Sequence, residues 1–194
     1  MPQNTTAAQP RTVQTADRGK LDVRALVLLA ILLAAGFILN FTVGKAISGI
    51  SGGMISPEFI ISAFCLTILV VRPNVPQALV IGLISAAVIQ ITTTSPFIDF
   101  AAEGIAAMLM AAIVKAGMHG SAKNFTPALG TLVTTVVSGV IFMVIKLAVM
   151  GFAPEVVSVL PAAMLPVIIA TGVFNAVLVG ALYIPVKKAL KVTD

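Results

Sequence analysis

An all-α membrane protein, a bundle of six transmembrane helices, is the fold class that three observations predict. Of 194 residues 59% are hydrophobic and only 10% charged, with a mean hydropathy of +1.11. Soluble domains carry nearer a quarter charged residues, so lipid is the natural solvent for these long apolar runs. The runs are punctuated by Ser-Pro, Arg-Pro and Thr-Pro steps that mark helix ends. Lys and Arg fall in alternate connecting segments, the pattern of membrane topology. No period-2 alternation of the kind a β-barrel needs is present.

Residues 1–20 are polar, with no apolar run inside them to make a signal peptide, and the expectation is a disordered cytoplasmic tail. Residues 21–194 are expected to form one six-helix transmembrane substrate-binding domain. Helix 1 is predicted over 23–43, followed by a Gly/Ser-rich connector at 44–54, read either as a flexible link or as a mobile lid. Helix 2 is expected to open at Ser56-Pro57-Glu58, with Ser as N-cap, and to stop at Arg72-Pro73. Its span of roughly 22 Å is short for a bilayer of about 30 Å. Helix 3 is predicted over 75–93. Ser95-Pro96 opens helix 4, which runs to 116. Thr126-Pro127 opens helix 5, which runs to 150. Helix 6 is predicted over 162–186, with Pro166 early and Pro185 late.

With that count, Arg11, Arg18, Lys20, Arg24, Arg72, Lys115, Lys123, Lys187, Lys188 and Lys191 share one side, and only Lys45 and Lys146 lie on the other. The richer side is cytoplasmic, so both termini are expected inside a multi-pass cell-membrane protein. Glu58, Asp99, Glu103 and Glu155 fall on the outer side.

Enzymatic chemistry is not expected. The single histidine, His119, falls in a cytoplasmic loop without partners at hydrolase or zinc spacing, and no P-loop sequence exists to bind ATP. The lone Cys65 sits in an apolar run, which leaves no internal disulfide and no cysteine-rich metal site. The cations are not interleaved with aromatics, which argues against nucleic acid.

The candidate site residues are the polar groups in or beside apolar runs. Asp99 and Glu103, four apart on helix 4, share a face. They either sit in headgroup water or meet a ligand. Lys45 and Lys146, the only outer cations, either meet a substrate carboxylate or pair with an acid. Asn40, Thr92, Thr93, Thr94 and Asn175 are neutral, and Asn175 near mid-depth needs a hydrogen-bond partner, as helix–helix glue or as ligand contact. On helix 1, Ala30 and Ala34 form a small-xxx-small pair that lets another helix approach closely.

The Ala30-x-x-x-Ala34 pair, the length and the ending Asn175-Ala-Val-Leu-Val-Gly-Ala-Leu-Tyr183-Ile-Pro-Val-Lys-Lys188 resemble the S components of energy-coupling factor (ECF) transporters. Met54-Ile-Ser-Pro-Glu-Phe59 and Thr92-Thr-Thr-Ser-Pro96 are most similar to the tryptophan-transport group within them, from which Phe97-Ile-Asp-Phe100 departs. The resemblance implies a high-affinity substrate-binding subunit for a small nutrient: tryptophan, another aromatic or a vitamin-like compound. It implies a coupling membrane subunit and two ATPases as partners, with ATP used by those ATPases and no cofactor in this chain. It places the cavity near the outer face, under the loops that hold Lys45, Thr92–Thr94 and Glu155. A zwitterion would then use Lys45 or Lys146 for its carboxylate and Asp99 or Glu103 for its ammonium, with Phe41, Phe59 and Phe97 as apolar wall. Asn40, Glu58, Thr92, Thr93 and Asn175 complete the substrate set, and Ala30 and Ala34 face the partner. The competing reading is a stand-alone secondary transporter or channel.

Overall fold

The computed structural model describes residues 21, 23–53, 56–93, 95–118 and 120–190. The expected tail, Met54, Thr94, His119 and Lys191 lie outside the described residues. The described chain is helical with no strand. Its helices are α1 (Val23–Ile50), α2 (Phe59–Val71), α3 (Val75–Ile89), α4 (Ile98–Gly117), α5 (Thr126–Val149) and α6 (Pro154–Ala189). Four of them, α1, α4, α5 and α6, are long and apolar enough to cross a membrane, while α2 and α3 are apolar but shorter.

The short α2 is the centre of the molecule. Every residue from Phe59 to Val70 is buried, and α1, α3, α4, α5 and α6 all pack on it. A helix apolar on all sides is stable only when surrounded, by protein or by lipid. Here protein surrounds it, so its length need not match a bilayer. Small residues bring its neighbours close. A Cβ on Gly36 of α1 would lie 2.9 Å from the Phe59 carbonyl oxygen, and one on Gly82 of α3 would lie 2.5 Å from that of Glu103 on α4. Close backbone approach is how helices associate where no hydrophobic drive exists between them.

Two apolar clusters hold the bundle, the larger running along α2 from Ile60 to Val70. One joins Leu29, Val70, Val114, Met118, Val179 and Tyr183, so the C-terminal ends of α2, α4 and α6 meet at one end of the bundle. The other joins Met143, Leu147 and Ile168 from the second half of α5 and the first half of α6. The first end carries Arg72, Lys115, Lys187 and Lys188; the second carries Lys146 and Glu155.

Five expected boundaries move. Helix 1 does not stop at Val43. It runs on through a π-helical turn at Asn40–Gly44 to Ile50, so the connector expected over 44–54 is helical as far as residue 50 and only Ser51–Gly53 form a described turn. The sequence Lys45-Ala-Ile-Ser-Gly-Ile tolerates a helix, and Gly44 is buried against the Pro57 carbonyl, which holds that turn in place. Helix 2 begins at Phe59 rather than Ser56: the Ser56 carbonyl bonds to Thr171 on α6 instead of entering the helix, and the Glu58 carbonyl accepts from both Asn175 and the Ser62 amide as the helix opens. Helix 3 ends at Ile89, and helix 4 begins at Ile98, with Phe97 in the left-handed region (φ 70°) where Ser95-Pro96 was expected to cap. Helix 6 begins at Pro154, eight residues before 162, because Pro suits a first helical turn. Its 36 residues span roughly 54 Å and contain Pro161, Pro166 and Pro185.

Candidate functional site: a buried acidic core

The π-turn of α1 leaves Asn40 half-buried beside α2, where its Oδ1 accepts from the Phe59 amide at 3.2 Å. A π-turn shifts the register of a helix by one residue and recurs at functional positions. The non-helical stretch 56–58 then crosses to α6. Thr171 Oγ1 donates to the Ser56 carbonyl at 2.8 Å and Asn175 Nδ2 to the Glu58 carbonyl at 3.3 Å. Irregular backbone inside a membrane bundle persists only where its polar groups are satisfied by protein or by a wet cavity. Asn40, Thr171 and Asn175 supply that here. Asn175 is fully buried and also reaches Thr135 Oγ1 at 3.4 Å.

Asp99 and Glu103 are both buried, at 6% and 4% exposure, so neither sits in headgroup water. Their partners differ. Asp99 Oδ2 accepts from Gln90 Nε2 at 3.1 Å. Gln90 Oε1 accepts from the Phe97 amide at 2.9 Å, so this one side chain clamps the α3–α4 connection and holds Phe97 in its left-handed conformation. Glu103 Oε1 accepts from Ser138 Oγ at 2.9 Å. Ser138 lies halfway along α5, which places the Glu103 carboxyl well inside the bundle rather than at its rim.

Glu103 Oε2, Asn175 Oδ1 and Ser62 Oγ are buried without a protein hydrogen-bond partner. Such groups are rare in native proteins, and each calls for a physical explanation. Ser62 follows Glu58 by one helical turn, and its amide bonds the Glu58 carbonyl. Asn175 and Glu103 are joined through one face of α5, by Thr135 and Ser138. Glu58, Asp99, Glu103 and Asn175 therefore belong to one polar core bounded by α2, α4, α5 and α6. Phe59 and Phe174 meet edge to face beside it, with ring centroids 5.7 Å apart. The core is rich in acceptors, and it suits a ligand group that brings donors or positive charge. No three acid, His or Cys side chains among the described residues converge as a metal site.

Apart from Thr93, whose side chain also bonds Asp99, the other expected site residues are elsewhere. Lys45 is exposed and stacks over Phe41, its Nζ 4.0 Å from the ring centroid. Lys146 is half-buried with Nζ 5.6 Å from the Phe142 centroid. Neither lysine pairs with an acid among the described residues. The opposite-charge arrangement expected for a zwitterion is thus built on its acidic half only, because the π-turn directs Asn40 inward and Lys45 outward. Thr92 is exposed and bonds back to the Ile89 carbonyl, and Thr93 Oγ1 accepts from the Ser95 amide. Phe97 is exposed. Ala30 and Ala34 are also exposed, on the face of α1 opposite its buried Leu29, Leu33 and Gly36.

Sequence reasoning missed Gln90, Thr135, Ser138 and Thr171. A signal existed for α5. Thr131, Thr134, Thr135 and Ser138 recur at helical spacing in an otherwise apolar run, and all four are buried. No family model, curated protein or solved structure matches the chain.

Proposed function

We propose that this protein is the substrate-binding subunit of an ECF-type importer, a six-helix membrane receptor for a small nutrient with an ammonium or other donor-rich group. The observation that carries this reading is the buried polar core around Asp99, Glu103 and Asn175, in which Glu103 Oε2 and Asn175 Oδ1 lack a protein donor. A ligand ammonium satisfies such acceptors, and Phe59 and Phe174 offer an aromatic wall beside them. An amino acid such as tryptophan, or a vitamin-like compound, has this chemistry. In this reading all six helices lie within the membrane, with both termini cytoplasmic. The exposed Ala30/Ala34 face receives the coupling subunit, and two partner ATPases supply the energy.

A ligand screen on detergent-purified protein tests it. A tight ligand raises thermal stability by RT ln(1 + [L]/Kd). Glu103→Gln should then weaken binding by about 10- to 150-fold, the worth of one charged hydrogen bond. A screen of amino acids and vitamins in which none stabilises the wild type would reject the receptor reading.

The bond from Ser138 to Glu103 also favours a second reading, a stand-alone secondary transporter, since a carboxyl deep in a bundle is the usual seat of ion coupling. Uptake into liposomes separates the two. A receptor subunit needs the ATPase module, whereas a secondary transporter runs on an ion gradient alone.

A further inference from the structure

Donors and acceptors are out of balance in the core between α2, α4, α5 and α6. The donors are spent on protein acceptors. Gln90 Nε2 donates to Asp99 at 3.1 Å, Ser138 Oγ to Glu103 at 2.9 Å and Thr171 Oγ1 to the Ser56 carbonyl at 2.8 Å. The Asn175 amide donates to the Glu58 carbonyl at 3.3 Å and to Thr135 Oγ1 at 3.4 Å. The acceptors are left over. Glu103 Oε2 and Asn175 Oδ1 have no protein partner, and both side chains are more than nine-tenths buried. The Ser62 hydroxyl is a third such group, and the Ser62 amide shares the Glu58 carbonyl with Asn175. Asn175 and Glu103 are in turn joined through Thr135 and Ser138, three apart on α5.

Charge is equally one-sided. Among the described residues Asp99 and Glu103 are the only buried charged side chains, and no Lys or Arg is buried. The charges that act on Glu103 are those of Glu58 and Asp99, both of its own sign. Lys45 and Lys146 carry their ammonium groups over Phe41 and Phe142. A ligand carboxylate in this core would therefore meet acids and no cation, with little beyond the Ser62 hydroxyl to donate to it. Like charges brought together in this way reject a wrong partner by on the order of 100-fold or more. A primary ammonium fits instead, because it brings three N–H donors to acceptors that lack them. A quaternary ammonium brings none. Phe59 and Phe174, each next in sequence to a core residue, meet edge to face and offer the apolar and cation–π wall that an amine's body needs.

We infer that the core selects a primary amine without a carboxylate, on an apolar or aromatic body, over the corresponding zwitterionic amino acid, with Glu103 and Asn175 accepting its N–H groups. The inference rests on the receptor reading and narrows its ligand. Specificity here comes from the absence of a buried cation as much as from the presence of the acids.

Matched compounds test it on detergent-purified full-length protein by thermal stability and calorimetry at neutral pH. The pairs are tryptamine and tryptophan, phenethylamine and phenylalanine, and tyramine and tyrosine. At least one amine should bind on the order of 100-fold tighter than its amino acid. Tryptophan amide, which keeps the ammonium and loses the carboxylate charge, should side with the amines. N,N,N-trimethyltryptamine should bind far more weakly than tryptamine, and equal affinity would overturn the N–H assignment. Glu103→Gln should weaken the amine by about 10- to 150-fold and the amino acid less, so that the ratio between them shrinks. Equal weakening of both would remove Glu103 from the selection. Should that variant fail to fold, the wild-type comparison decides by itself. An amino acid that binds as tightly as its amine, or a vitamin that binds where no amine does, would overturn this inference and leave the receptor reading standing. If amines, amino acids and vitamins all fail to bind, the receptor reading falls and this inference with it.

Discussion

Gly82→Ala is expected to loosen the contact that positions the acidic core. A Cβ at this position would lie 2.5 Å from the Glu103 carbonyl oxygen and 2.8 Å from Ala107 Cβ. Ordinary contact begins near 3.4 Å, so the Glu103 carbonyl is about 0.9 Å too close. Neither obstructing atom is the far end of a flexible side chain, so α3 and α4 must separate. Overpacking of this kind costs about 1–3 kcal/mol, partly offset by the better helix propensity of Ala, about 1 kcal/mol. The net expectation is a loss of about 0–2 kcal/mol relative to wild type, and of about 1–3 kcal/mol relative to an exposed Gly→Ala change that gains propensity without the clash. Gly49→Ala is the matched control. A Cβ there meets nothing within 4 Å, so only the propensity gain remains and stability should hold or rise. Cys65, the only cysteine, is fully buried in α2, so the rate of its labelling by a fluorogenic maleimide along a denaturant series reports unfolding of the central helix. Because the obstructing oxygen belongs to Glu103 itself, ligand affinity should fall together with stability. A Gly82→Ala protein as stable as the Gly49→Ala control would refute the close approach of α3 and α4.

Other side chains can be tested in the same assay. Asn175→Leu keeps volume but removes the bond from α6 to the Glu58 carbonyl, which retains only the Ser62 amide, and should cost about 0.5–1.5 kcal/mol; a neutral result would mean that segment 56–58 is held by other contacts. Gln90→Ala should release both Asp99 and the Phe97 amide, which hydrogen exchange would register as lost protection at Phe97; unchanged protection would refute the clamp. Ala34→Trp alters an exposed position on α1, so stability should stay within about 0.5 kcal/mol while uptake with an ATPase module is lost. Retained uptake would exclude that face as the docking surface.

The helical class and the approximate number and order of helices, four of them long and apolar enough to cross a membrane, were legible in the sequence, because long uncharged runs set the helices and charge collects between them. The shared face of Asp99 and Glu103 followed from their spacing of four, but their burial did not. The partition of solvents did not follow. Phe59–Val71 is apolar on every side, and a helix facing protein throughout has the same composition as one facing lipid, so only packing shows that α2 is the core. The same ambiguity hid Gln90 and Ser138. A hydroxyl in a membrane helix can always bond its own backbone, as Ser85 and Thr131 do, and only the neighbouring helix decides that Ser138 serves Glu103 instead. The π-turn at Asn40–Gly44 is likewise a tertiary outcome. No residue type demands it, but it directs Asn40 to the Phe59 amide, and the same turn sends Lys45 to the surface. Sequence thus determined which residues were polar in an apolar chain. The three-dimensional packing determined which of them meet, because contacts between helices depend on register and rotation, which hydropathy does not encode.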